Sequence, residues 1–276
     1  PSAGREVRAP IAHPPGMSRR DRQRGETEIV VFGRHPVQQA FASSGARVLE
    51  VELARSVSAD ERRSLRMLAE RDGAIFSEVS RASLDRFTGA PRHDQGFGAR
   101  VRLLRVVEVE AFVEATKGRA ARRPQRLLAL DGVTNSQNVG MVVRSVVGAG
   151  LDGLLWPLSG QPWVNGLVVR AATGAIFDCP ILRCETLAAG LALLQAGGFE
   201  AVGLDAAGES SLFARPPAHR ALYVLGSESR GLSADVTALL DATVSIPMAG
   251  PTESLNVAVA AGLVCYHAAG LLRAEA

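Results

Sequence analysis

Three segments of the back half carry side chains whose types and spacing could do chemistry. In the first, LALDGVTNSQNVGMVVRSVVGAG (128–150), an apolar strand ends at Asp131. A polar loop with Asn135, Ser136, Gln137 and Asn138 follows, then a helix from near Val139. Arg144 stands six residues after Asn138 on that otherwise apolar helix, either as a buried ion-pair partner or as an anion-binding group. Asn138 reads equally as a helix N-cap. The second segment, LYVLGSESRGLS (222–233), runs a hydrophobic strand into Gly226, with Glu228 and Gly231 in the turn. It is no phosphate loop: it lacks GKS/T, and a central carboxylate would repel phosphate. It suits a backbone that passes close to a neutral or cationic ligand, or simply a glycine-rich connection. In the third, VSIPMAGPTESLNVAVAAG (244–262), two prolines and a glycine fix an irregular loop after a strand. A helix is expected from Glu253 and Ser254, with Ser254 a possible N-cap. Asn256 lies on the apolar Leu-Asn-Val-Ala-Val run, and a buried amide must find partners.

Each segment needs a strand to end where its loop begins, and the chain supplies them. From Arg126 the short runs LLALD, GLLWP, CPILR, EAVGLDA, ALYVLG and ATVSIPM alternate with helical patterns, and a helical pattern closes the chain. Strands alternating with helices predict an α/β unit whose sheet is mostly parallel and covered on both faces. Loops at the carboxyl ends of parallel strands are where such sheets bind ligands. A smaller α/β unit is expected at 28–107: EIVVF, a helical HPVQQAFAS, the alternating RVLEVELA, and SADERRSLRMLAERDG with Ser58 as N-cap and Gly73 as terminator. AIFSEVS, RASLDRFTG and ARVRLLRVV complete it. Residues 108–125 read as a linker and 126–276 as the larger unit. Residues 1–27, rich in Pro, Gly and Arg, read as a disordered basic tail.

The 276 residues carry a net charge of only +3, but unevenly: +8 over residues 1–126 and −5 over 127–276. A basic front suggests contact with a polyanion, or a solvated arginine-rich surface. No apolar run of about twenty residues predicts a transmembrane helix, and nothing resembles a secretory signal. Cys179, Cys184 and Cys265 form no CxxC pair, so neither a disulfide scaffold nor a zinc site is expected, and the setting reads as reducing and cytoplasmic.

Taken together, the three segments resemble the SpoU (TrmH) family of RNA ribose 2′-O-methyltransferases in the SPOUT superfamily. Its first motif has an Asn and, six residues on, an Arg, here Asn138 and Arg144. Its second is a GxExxGL turn, here Gly226, Glu228, Gly231 and Leu232. Its third is IPMxGxxxSLNVxxAxG, here running from Ile246 through Ser254, Leu255 and Asn256 to Gly262. The front half adds VFGRHPVQQAF (31–41) and HDQGFGARV (93–101), which look like the GxxxVxxAL entry and HQG segment of a small substrate-binding domain, with Asp94 inserted. That domain is similar to certain ribosomal RNA-binding proteins. The family usually has Asp-Pro in its first loop, where this chain has Asn135-Ser136.

The resemblance implies a carboxy-terminal SPOUT domain with a deep trefoil knot. It implies S-adenosylmethionine held around Leu225, Gly226, Ile246, Met248 and Leu255. It assigns Arg144, Asn138, Glu228, Ser254 and Asn256 to the reaction, and it implies a homodimer acting on RNA, without metal or membrane. A small folded front unit favours rRNA. A tRNA target, an antibiotic-resistance methyltransferase on large-subunit rRNA, and a non-catalytic RNA chaperone are the other readings.

Overall fold

The computed structural model describes residues 27–118, 123–161, 163–252 and 254–272. The basic tail expected at 1–27 lies, but for Thr27, outside the described residues. Strands β1 (Glu28–Phe32), β2 (Ala46–Ala54), β3 (Ile75–Val79) and β4 (Phe97–Leu103) form one sheet in the order β1-β4-β2-β3. β4 runs antiparallel to both neighbours, and β3 is parallel to β2. Helices α1 (Arg34–Ala42), α2 (Ala59–Asp72) and α3 (Arg81–Thr88) connect the strands. Their ends follow local chemistry. The Ser58 side chain accepts from the Glu61 amide, and the Ser80 side chain from that of Ser83. Alternate strand residues Val31, Val51, Leu53, Ala99 and Val101 are fully buried, the period-2 signature of a one-sided core.

Asp94, the insertion in the HDQG segment, has a structural role. Its carboxylate is fully buried and accepts from Arg81 Nη1 and Nη2, both at 2.7 Å, from Thr88 Oγ1 at 3.1 Å and from the Gly96 amide at 2.9 Å. Four donors on one carboxylate satisfy a charge that could not otherwise be buried. They also fix the loop that precedes β4.

The second sheet has eight strands, and every recorded pairing in it is parallel. It consists of β5 (Val106–Glu108), β6 (Gln125–Asp131), β7 (Gly153–Pro157), β8 (Ile181–Cys184), β9 (Glu200–Leu204), β10 (Ser210–Ser211), β11 (Arg220–Gly226) and β12 (Ala242–Ser245). The order is β10-β12-β9-β11-β6-β7-β8-β5. Segment 108–125, expected as a linker, begins with helix α4 (Val109–Thr116), whose Val109 and Val113 are buried. Two core clusters cover the sheet. Leu128 and Leu130 of β6 point to one, Leu127 and Ala129 to the other. Helices α5 (Ser136–Gly148) and α9 (Val257–Ala268) pack in the first cluster. α4, α7 (Leu187–Ala196) and α8 (Ala234–Thr237) pack in the second. The short α6 (Gly166–Ala171) lies against α5, where Gly140 allows the approach: a Cβ there would stand 2.5 Å from Ala171 Cβ. Among the described residues no helix is long and apolar enough to cross a membrane.

Two measurements test this account. Arg81→Ala leaves the buried Asp94 carboxylate without its guanidinium. Because Arg81 is 45% exposed, the expected loss is about 2 kcal/mol, below the ~3–5 kcal/mol of a fully buried pair, read from urea denaturation. Burial pushes the thiols of Cys179, Cys184 and Cys265 up to about 12. The folded chain at pH 8 should therefore resist a thiol reagent that labels all three cysteines once it is unfolded. Stability should also be complete below the unfolded thiol value of roughly 8.5 and decline as pH rises from there towards the folded value.

Candidate active site

Because the strands of the second sheet are parallel, their carboxyl ends share one side. Asp131 ends β6 in register with Gly226, which ends β11. The Asp131 carboxylate then accepts from the Ser233 amide at 2.6 Å, pinning the far side of the 226–233 turn. Within that turn the Ser227 and Gly231 backbones exchange hydrogen bonds at 3.1 and 2.8 Å. A Cβ on Gly226 would stand 2.1 Å from the Gly231 carbonyl carbon, so the turn closes only on glycine.

Glu228 projects from this turn and joins it to the other two motifs. Its Oε1 accepts from Asn138 Nδ2 at 3.1 Å, from Asn256 Nδ2 at 2.5 Å and from the Val257 amide at 3.2 Å. Asn256 Nδ2 also lies 3.2 Å from Asn138 Oδ1. The carboxylate thus sits at the N-terminus of α9, where orphan amides and the helix dipole favour negative charge. Asn138 is only 6% exposed, and this clasp is how its amide is satisfied.

The caps differ from the sequence reading. Asn135, not Asn138, caps α5: its Oδ1 accepts from the Gln137 amide at 2.9 Å and from that of Asn138 at 3.4 Å. The helix consequently begins at Ser136, three residues earlier than expected. Asn256, not Ser254, caps α9 by accepting from the Ala258 amide at 2.9 Å. Ser254 lies in the loop before it, and Glu253 is outside the described residues. Where the first loop departs from Asp-Pro, Asn165 Nδ2 donates to Ser136 Oγ at 3.3 Å, tying α6 to the start of α5.

The three loops enclose a cavity of about 480 Å³. Leu225, Gly226, Ile246, Met248 and Leu255 all line it, as do Ser254 and Glu228. Its walls are chiefly apolar, with backbone from the glycine turn and the proline loop, and its volume falls in the range of small-ligand and cofactor sites. Asn138 and Asn256 stand behind Glu228 rather than in the lining. Arg144 is neither buried nor part of the lining: it is exposed on α5, with no carboxylate partner among the described residues. The helix is apolar on the side that packs on the sheet, and Arg144 lies on the opposite side, which correct helical phasing could have shown. The sequence reading also missed Asp205 and Ala206, which line the cavity from the end of β9. The signal was available, since EAVGL ends at the same edge of the sheet as the other loops.

The fold and site now have counterparts. Residues 125–266 match the SpoU rRNA methylase family, and residues 30–107 match the RNA 2′-O ribose methyltransferase substrate-binding family. An uncharacterized tRNA/rRNA methyltransferase of Mycobacterium sp. (strain KMS) is 38% identical over 245 residues, 88% of this chain and 76% of that protein. Its counterpart in Mycolicibacterium smegmatis is 37% identical, over 90% of this chain and 78% of its own length. Among solved structures, the SpoU methyltransferase AviRb from Streptomyces viridochromogenes, in complex with AdoMet, superposes with a TM-score of 0.69. It is 25% identical, with 92% of this chain and 93% of that one covered. An AdoMet-bound rRNA methyltransferase from Sinorhizobium meliloti, 21% identical with a TM-score of 0.67 over 92% and 90% of the chains, shares the fold. A matched methylase model over half its length, a matched substrate-binding model before it, and relatives of this identity place the chain in the SpoU methyltransferase family.

Proposed function

We propose that this chain is an S-adenosylmethionine-dependent methyltransferase acting on the ribose 2′-hydroxyl of RNA, with large-subunit rRNA as its substrate. The observation that carries the reading is the convergence of three separated loops on Glu228 around one cavity, with the exposed guanidinium of Arg144 on the adjoining helix. The separate front unit, which matches a substrate-binding family, supports rRNA over tRNA.

When bound, S-adenosylmethionine supplies a methyl group on a positively charged sulfur. The cavity suits such a group: Leu225, Ile246 and Leu255 offer apolar faces, and the Gly226 and Ile246–Met248 backbones offer hydrogen-bonding edges. Asp205 also lines the cavity, and its carboxylate can accept from hydroxyls. A ribose hydroxyl is a poor nucleophile at neutral pH and needs placement and help in losing its proton. Arginine gives up its own proton too reluctantly to be that base. Arg144 instead grips the phosphate next to the target ribose, bidentately, which orients the hydroxyl and lowers its effective pKa. Ser254 lies in the cavity wall and can hydrogen-bond the ribose, while Asn138, Glu228 and Asn256 hold the loops that present it.

The working unit is a homodimer. Met141 on α5 and Val259 and Tyr266 on α9 leave an apolar face 39%, 53% and 39% exposed. A Cβ on Gly148 would stand 3.4 Å from the Tyr266 hydroxyl, so the two helices share this face. Arg144, one turn beyond Met141, stands at its edge, so a second copy packed there places the guanidinium at a subunit boundary. The trefoil knot belongs to the same reading, supported by the interlock of the 226–233 turn with the 246–256 loop around Glu228. Three buried, unpaired cysteines suit a reducing cytoplasm.

The decisive assay is tritium transfer from labelled S-adenosylmethionine to total RNA, followed by size separation and mapping of alkali-resistant linkages. Label in large-subunit rRNA at one resistant linkage is expected; label in tRNA only, in a base, or nowhere contradicts the proposal. Glu228→Ala strands the buried Asn138 amide and frees both loops. It should weaken S-adenosylmethionine binding at least tenfold by calorimetry, the ~1.4 kcal/mol expected from one lost buried partner. Arg144→Ala should leave that affinity within about twofold, since Arg144 is outside the cavity, yet lower turnover by roughly a hundredfold or more. Near-normal turnover in Arg144→Lys would remove Arg144 from the chemistry.

A further inference from the structure

The two sheets meet along residues 166–178. The Phe32 ring lies against Gly166, where a Cβ would stand 2.1 Å from it. Gln39 Nε2 donates to the Thr173 carbonyl at 2.8 Å, and Ser43 Oγ to Asp178 Oδ1 at 2.9 Å. These three contacts are complementary. A fourth is not. Arg170 Nη1, on α6, lies 3.0 Å from Nδ1 of His93, in the loop before β4. A guanidinium only donates, so His93 must accept on an unprotonated Nδ1 and carry its proton on Nε2. Both side chains are exposed, and neither has a carboxylate partner among the described residues. A cation with five donors is thus parked on one neutral ring nitrogen, at the seam between the two units. Two further arginines border the same seam: Arg92, beside His93, and Arg34, whose amide donates to Gln95 Oε1 at 3.3 Å. Of these, Arg34 is already engaged by Glu61 at 2.9 Å.

We infer that Arg170 is a phosphate-binding residue for the RNA backbone, exchanging His93 for phosphate oxygens when RNA crosses the seam. This rests on the RNA reading above and adds a second, separate contact to it. A phosphate accepts bidentately and carries charge, so it outcompetes a neutral imidazole for a guanidinium. The location gives the contact a consequence. α6 is fixed to α5 by the close approach at Gly140, with Val168 O 2.7 Å from a Cβ placed there, and by the Asn165–Ser136 hydrogen bond at 3.3 Å. α5 carries both Asn138 and Arg144. A phosphate held on Arg170 therefore stands in a fixed relation to the cavity, and the seam sets how far along the RNA the target ribose lies. Arg170 is a positioning residue: it touches the RNA at a distance from the reacting atoms.

The test is the salt dependence of binding by the full chain to fragmented bacterial large-subunit rRNA, with melting curves to verify folding. Each phosphate contact adds to the slope of log affinity against log salt. Arg170→Gln should make that slope shallower by about one, and Arg170→Lys should restore most of it. His93→Ala removes only the resting partner and should keep the wild-type slope. An unchanged slope in Arg170→Gln overturns the inference. Equal losses in Arg170→Gln and His93→Ala also overturn it, by showing that the pair merely joins the two units. Failure of the wild-type chain to bind the rRNA overturns both this inference and the RNA reading. Binding with an unchanged Arg170→Gln slope, alongside normal methyl transfer, overturns this inference alone.

Discussion

The site depends on one carboxylate. Three donors from two separate helix starts converge on Glu228 Oε1, and the turn that carries Glu228 is itself closed at Gly226, where there is no room for a Cβ, and at Gly231, whose φ of +65° favours glycine. An irregular loop pays heavily in entropy to stay in one conformation. Here that cost is offset by charge-assisted hydrogen bonds at a helix N-terminus, where a carboxylate is worth most. Without Glu228 the glycine turn loses its side-chain tie to the α5 start and the proline loop, which then stay joined to each other by the Asn256–Asn138 hydrogen bond.

The parallel sheet makes this convergence possible. Strands β9, β11, β12 and β6 end on the same side, so loops far apart in sequence become neighbours. The apolar alternation along β6 and β11 fixes each strand's face and hence where its last residue points. Division of labour follows. Rigid strand ends build an apolar pocket of cofactor size, while Arg144 and Arg170, exposed on the helices, are the groups we propose to meet the RNA backbone. Arginine suits the second task because its planar fork holds phosphate without changing charge.

Much of this was legible in the sequence, for identifiable reasons. Strand runs with period-2 burial and helices with Ser58- and Gly73-type ends are local signals, and the structure reproduces those elements. The five residues that the resemblance placed around the cofactor all line the cavity: Leu225 and Gly226 end β11, while Ile246, Met248 and Leu255 lie in the loop between β12 and α9. What failed was also physical. Two asparagines in reach of one helix start, Asn135 and Asn138, compete for the cap, and only three-dimensional pairing with Glu228 decides between them. Ser254 and Asn256 posed the same choice. Asp94 stood in the sequence only as an insertion, because its partner Arg81 lies thirteen residues away on another element. The place of Arg144 outside the cavity depends on helical phase against the sheet, which spacing from Asn138 alone does not give.

Hydrogen exchange in the presence and absence of S-adenosylmethionine tests the central claim most directly. A single pocket built by three clasped loops predicts that the amides of 225–231, 246–248 and 254–258 gain protection together, while those of the four-stranded sheet do not change. Protection confined to one of the three segments, or appearing at the four-stranded sheet instead, would contradict it.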